Sequence, residues 1–384
     1  MKILFLEWSC YAAPNWIAEL RNQGNEVTHV QVPHMIDEED MVFQNQIIGR
    51  VREKGYELLC SFNFYPVLSI IARKINIRYL AWIYDSPLLT MYSIEVGSPN
   101  NDIFLFDKSQ YEKFKNRGIQ AVHYLPLAGT TGIKKASTGY CSDITFVGTL
   151  YENKNMYKDI KYLPERLEGY LEGIMEAQRR IYGYYMLPEL LSEEILKELK
   201  KYVKIDMGEE YRIDYRDVFS SLFLAKRMAN MERRSMLLQL AKYFKVSLYS
   251  DEPLEAPNII NCGIVSYGKE MYTLFQKSKI NINSTLRCIE TGINLRTMDI
   301  LSAGGFCLTN YQEEISSHFI IGKELVVYES ELDLLEKAAY YLKHEEEREE
   351  IARSGKRRIE ESHTYSLRVK EMMNTVCKNM VKGS

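Results

Sequence analysis

Apolar residues in the first third of the chain fall into short runs separated by segments of helical spacing. Runs at 2–6, 27–32, 58–62, 78–84, 103–106 and 121–125 have the length and the β-branched or aromatic content of buried strands. Between them, 15–23, 38–54, 66–74 and 109–117 place apolar residues three and four apart, the spacing that lines one face of a helix. Regular alternation of the two predicts a parallel sheet with helices on both faces. Residues 126–140 break the pattern, and their glycine, threonine and serine without periodicity predict a linker. A second strand series starts at 144–147 and resumes at 246–249, near 264–265, and at 280–282, 306–309 and 325–328. The interval 161–244 is helical in period throughout and reads as an insertion. Helix starts are expected at Ser192, followed by Glu193 and Glu194, and at Asp214. Charged amphipathic helices fill 331–380.

A length of 384 residues exceeds what one core usually organises and agrees with two domains. The balance of 49 Lys and Arg against 52 Asp and Glu gives a net charge of -3, with no basic excess to hold nucleic acid. The seven cysteines never stand at C-x-x-C spacing, so neither a zinc site nor a disulfide framework is expected, and a reducing cytoplasm fits. The six histidines lack metal-ligand spacing. The apolar start MKILFLEW breaks at Glu7, too soon for an export signal, and no run of about 18 apolar residues is present to span a membrane.

Candidate chemistry concentrates between Ile280 and Tyr311, which reads as strand, polar loop, helix, glycine turn and strand. In open α/β sheets ligands gather at the carboxyl ends of strands, where helix N-termini offer free N–H groups to anions. The loop carries Asn283, Ser284, Thr285, Arg287 and Arg296, a set suited to phosphate and hydroxyl groups, while Asp299 suits a sugar diol. Asp299 also follows Arg296 by three residues on one helix face, so a local ion pair is the alternative. Gly148 directly follows the run ITFV, where the missing Cβ lets a phosphate or sugar approach the backbone, unless a tight turn alone requires it. Thr149, Tyr151 and Lys154 lie beside it. Asp85 ends the run RYLAWIY ahead of Ser86-Pro87, the position of a general base on an acceptor hydroxyl or of a turn cap. The first turn, EWSCYAAPN, has no glycine, which disfavours a G-x-G-x-x-G dinucleotide site.

Taken together, these segments resemble the CgeB-like (spore maturation protein) glycosyltransferase family, within the GT-B superfamily. The resemblance rests on AWIYDSP (81–87), IFLFDKSQYEKFKNRG (103–118), HYLPLA (123–128), DITFVGTLY (143–151), SKININSTLR (278–287), GINLRTMDILSAGGFCLTNYQEE (292–314) and HTYSLR (363–368). It implies an α/β fold of two Rossmann-like domains of GT-B type facing across a cleft. The acceptor domain would cover 1–135 and the nucleotide-sugar domain 136–365, with the helical insertion at about 161–244. A final helix over 366–384 would return to the first domain. The implied reaction moves a sugar from a nucleoside-diphosphate donor, UDP or dTDP preferred, to an acceptor hydroxyl on a protein or surface glycan. It would need no metal and no cofactor beyond the donor as co-substrate.

On this reading Gly148, Thr149, Tyr151, Lys154, Asn283, Thr285, Arg296, Asp299, Gly304 and Gly305 bind the donor, and Asp85 and Arg296 are catalytic. Many retaining relatives carry an E-x7-E pair. Asp299 stands in its second place and Glu290 one residue too far for the first, so retention and inversion both stay open. The alternative function is a non-catalytic nucleotide- or glycan-binding structural protein of the cell or spore surface.

Overall fold

The computed structural model describes residues 1–8, 12–32, 36–136, 139–205 and 208–382. Ser9, Cys10 and Tyr11 of the glycine-free first turn, His34, and Ser137 and Thr138 of the expected linker lie outside the described residues. The chain forms two compact units. Unit 1 comprises Met1–Ala128, Met207–Arg212 and His363–Ser384; unit 2 comprises Gly129–Asp206 and Ile213–Ser362.

Unit 1 is built on six parallel strands: β1 (Lys2–Glu7), β2 (Glu26–Gln31), β3 (Leu58–Phe62), β4 (Arg78–Trp82), β5 (Asn101–Leu105) and β6 (Val122–Tyr124). Their order is β2-β1-β3-β4-β5-β6, so the winding reverses between β1 and β3. All five residues of β3 and of β5 are buried, as expected of strands covered on both faces. The terminal helix, Tyr365–Lys382, belongs to this unit. Val369, Met372 and Val376, spaced three and four apart, are fully buried along it. Asn379 donates to the buried Asp102 carboxylate (2.6 Å), which also takes Arg78 (2.6 Å) and His123 (3.1 Å). From the segment 207–212, Arg212 N–H donates to the Tyr92 carbonyl (2.8 Å).

Unit 2 repeats the plan with β7 (Ser142–Val147), β8 (Val246–Tyr249), β9 (Ile259–Asn261), β10 (Ser278–Asn283), β11 (Cys307–Asn310) and β12 (Val326–Tyr328). The order β12-β11-β10-β7-β8-β9, again all parallel, reverses between β7 and β10. Ser192 and Asp214 cap helices as their sequence context predicts, accepting from Ile195 N and Arg216 N respectively.

Two expectations change. The last helix of the presumed insertion, Ala225–Ala241, is the crossover that covers the sheet between β7 and β8: its Met236, Leu237 and Leu240 share a core with Ile144, Phe146 and Ile282. Only the shorter helices before it are additional to the sheet plan. The strand expected near 264–265 lies instead at β9, and Ile264 is 78% exposed. An edge strand with one buried residue of three has almost no periodic signature, and its place is set by polar anchors such as Asn258 Nδ2 to the Ala241 carbonyl (2.7 Å).

Candidate functional site

The winding reversal between β7 and β10 opens a crevice at their carboxyl ends, the usual ligand position in such sheets. One side chain spans it. Arg233 donates through Nη1 to the Thr149 carbonyl beyond β7 (2.6 Å) and through Nη2 to the Ser284 carbonyl beyond β10 (2.5 Å). Its guanidinium lies over the rings of Tyr151 (4.9 Å) and Phe146 (5.5 Å), and a Cβ on Gly148 would come within 3.8 Å of Nη1. Arg233 occupies the buried stripe of its helix, one turn ahead of Met236 and Leu237, and is itself only 7% exposed. It pairs with no carboxylate among the described residues, and its Nε–H has no hydrogen-bond partner. A buried cation held by carbonyl dipoles and aromatic faces, without a carboxylate, leaves a site selective for negative charge.

Beside it, Arg287 stacks on Tyr182 (3.5 Å to the ring centroid) and pairs with buried Glu232 at 2.5 Å, while its Nη1 has no hydrogen-bond partner among the described residues. Burial pushes the Tyr182 hydroxyl up to about 12, so that ring stays neutral. The loop after β7 is clamped by Glu252, which accepts from Thr149 Oγ1 (2.8 Å), Leu150 N (2.7 Å) and Asn153 N (2.7 Å). Burial raises the pKa of this carboxyl, but the bonds from the loop outweigh it and hold the group below its ordinary value. Lys154 reinforces the clamp through Asp251 (2.6 Å).

The residues expected from sequence fall into four groups. Gly148, Thr149, Tyr151 and Lys154 do assemble around the crevice. The Gly148 N–H, however, already pairs with the Tyr249 carbonyl (3.0 Å), and Thr149 and Lys154 are engaged as described. Asn283 and Thr285 sit at the end of β10 but face inward. The Asn283 amide is shared among the hydroxyls of Thr285 (3.1 Å), Thr297 (3.2 Å) and Thr309 (2.9 Å), and Thr285 N–H donates to Asn310 (2.7 Å). They lock the loop against the start of helix Leu295–Ala303, whose Asn294 cap accepts from Thr297 N.

Arg296 and Asp299 lie on another face of that helix, 3.7 Å apart. Asp299 accepts from Tyr267 (3.0 Å) and Tyr272 (3.4 Å), and burial, opposed by Arg296 and these hydroxyls, raises its pKa to about 6.

Gly304 and Gly305 leave the set. Their N–H groups close the helix end on Leu301 and Ile300 (2.9 and 3.0 Å), and the crossover has by then carried the chain to the amino edge of the sheet. Gly305 is needed for packing, since a Cβ there would lie 2.7 Å from Asn281 Nδ2 and 2.8 Å from the Phe275 carbonyl.

Asp85, on unit 1, is exposed beyond β4 and accepts from Asn63 Nδ2 (2.7 Å), whose Oδ1 in turn takes the N–H groups of Tyr84 and Asp85. The sequence reading missed Arg233, Glu232 and Glu252. The usable signal for the first was a charged residue on the apolar stripe of a helix that also carries Ala229, Met236, Leu237 and Leu240.

Residues 233–374 match a family model described as Glycosyl transferase-like. No curated protein matches the chain. Among solved structures, sucrose-phosphate synthase from Thermosynechococcus elongatus superposes with a TM-score of 0.57 at 8% identity, covering all of both chains. HepE of Anabaena, solved with UDP and glucose, gives 0.56 at 8% identity over 98% of this chain and 100% of that one. A glycosyltransferase from Rickettsia africae gives 0.54 at 9% identity over 99% and 98%. The fold shared with these proteins is the two-sheet GT-B architecture. Among the described residues no helix is long and apolar enough to cross a membrane.

Proposed function

We propose that the chain is a metal-independent glycosyltransferase that moves a sugar from a UDP-type donor to an acceptor hydroxyl on a protein or glycan. The carrying observation is the buried, carboxylate-free Arg233 at the switch point of the second sheet. A nucleoside diphosphate supplies the negative charge this cation lacks, and Arg233, with the spare Nη1–H of Arg287, stabilises the diphosphate as it leaves. Positive charge from arginine takes the place a metal ion holds in other transferases. The N-terminus of helix Leu295–Ala303 adds its dipole. The neighbour HepE, solved with UDP and glucose, supports the choice of base, and dTDP is the second candidate. Arg296, one quarter exposed, contacts the donor with Asp299 orienting it and offering Oδ2 to the ribose. We assign Asp85 the general-base role in an inverting reaction.

The test is incubation of the full chain with UDP-, dTDP- and GDP-sugars, read as released nucleoside diphosphate together with thermal shift. A diphosphate present at 100 times its dissociation constant should stabilise by about 2.7 kcal/mol. No shift and no release with any donor would sink the proposal. A shift without release would favour the non-catalytic binding protein.

A further inference from the structure

The segment that precedes the crossover forms an open cavity that shares no lining residue with the switch-point crevice. It measures about 480 Å³, within the range of about 300–1,000 Å³ usual for small-molecule sites. Two chain segments wall it: the stretch after the turn Met156–Asp159, and the stretch after helix Glu193–Leu199. Phe223 forms part of its lining from a π-helical turn, Phe219–Leu224. Such turns are uncommon and recur at functional sites, because the extra residue per turn pushes side chains out of the regular stripe. Here Tyr215, Phe219 and Phe223 stack in a column (5.9 and 5.1 Å between centroids), which fixes the Phe223 ring.

Two features set the chemistry of this cavity. Tyr162 and Tyr202 stand edge to face at 5.8 Å on its walls, and they are 66% and 40% exposed. Exposed paired rings with apolar faces and polar tips suit the alternating apolar and hydroxyl surfaces of a sugar. Lys161, Lys201 and Lys204 line the same cavity and make no ion pair among the described residues, against a single acid, Asp159. A lysine is a point charge without the bidentate fork that arginine offers a phosphate. Three of them on two segments fit anionic groups spaced along a chain better than one compact diphosphate.

From this combination we infer that the cavity is a second binding site, separate from the donor site and independent of the transferase reading, for a carboxylate-bearing oligosaccharide of the uronate type. Its position within the additional helices makes it an anchoring site for an acidic glycan.

The experiment uses the full-length chain and calorimetric titration at low salt with trigalacturonate, its neutral counterpart galactotriose, and inorganic triphosphate. Trigalacturonate should bind, with affinity falling as salt rises. Galactotriose and triphosphate should each bind at least about tenfold more weakly. The combined variant Lys161→Ala, Lys201→Ala, Lys204→Ala and the pair Tyr162→Ala, Tyr202→Ala should each lose at least about tenfold in affinity while keeping the wild-type Tm and the wild-type response to UDP. Absence of trigalacturonate binding, equal binding of either control, or wild-type affinity in both variants overturns the inference. Trigalacturonate binding in a chain that never responds to UDP upholds this site and sinks the transferase proposal instead.

Discussion

The carboxyl edges of the two sheets obey the same strand and crossover rules but carry opposite electrostatics. In unit 1 the edge presents an exposed carboxylate, Asp85, held by Asn63, with Glu7 paired to His29 at 2.6 Å nearby in the fold. The guanidinium of that sheet, Arg78, is partly buried where it opens β4 at the amino edge and is matched by the buried Asp102. In unit 2 the buried Arg233 and Arg287 stand at the carboxyl edge, and among the described residues Arg287 is matched by Glu232 while Arg233 meets no carboxylate. Parallel topology therefore supplies a crevice in each unit, and the placement of unmatched charge decides what it can hold. Arg78 meets a carboxylate; among the described residues Arg233 meets none.

The largest expected effect removes that unmatched charge. Arg233→Ala should weaken UDP binding by about 100-fold or more and abolish turnover, measured by titration and by diphosphate release. Near-wild-type binding would show that the two edges do not differ in the way described. Asp85→Asn tests the opposite edge: turnover should fall by about 10²–10⁴ with UDP affinity unchanged. A rate equal to wild type would assign the acceptor chemistry elsewhere or point to retention.

Glu232→Ala should cost about 3–5 kcal/mol of stability in denaturant titration, because it leaves Arg287 buried and unpaired. A cost under about 1 kcal/mol would mean Arg287 is as tolerant of isolation as Arg233. The smallest effect concerns pH. The Asp299 pKa is raised by burial to about 6 in the folded state, so between its ordinary value of 3.8 and about 6 the folded protein binds more protons than the unfolded one. Its contribution to stability accordingly declines as pH rises through that window and levels off above it. Asp299→Asn should flatten this decline in Tm against pH, and an unchanged slope would place its origin in another group.

Much of the architecture was legible from patterning because buried parallel strands and their covering helices repeat a strong local signal. Leu58–Phe62 is apolar except for one serine, and Pro66–Ile75 opens on proline, so both elements announce themselves. Strand β9 was misplaced because an edge strand with one buried residue has no such period. The site was legible only in its loops. Gly148 and the segment from Asn283 to Arg296 were found because strand ends in this topology attract ligands. Their hydrogen-bond groups, however, turned out to be engaged largely with one another, as with Asn283 and three threonine hydroxyls.

Hydrophobic period and helix-capping chemistry, which act over a few neighbouring residues, determined from the sequence alone that this chain forms two strand–helix series with a helical stretch inside the second. Strand order, the reversal between β7 and β10, and the arrival of Arg233 there from a helix some 80 residues after Gly148 were decided only by the tertiary structure. A buried charge acquires its meaning from the carbonyls and carboxylates packed around it, and those come from parts of the chain that no local pattern connects.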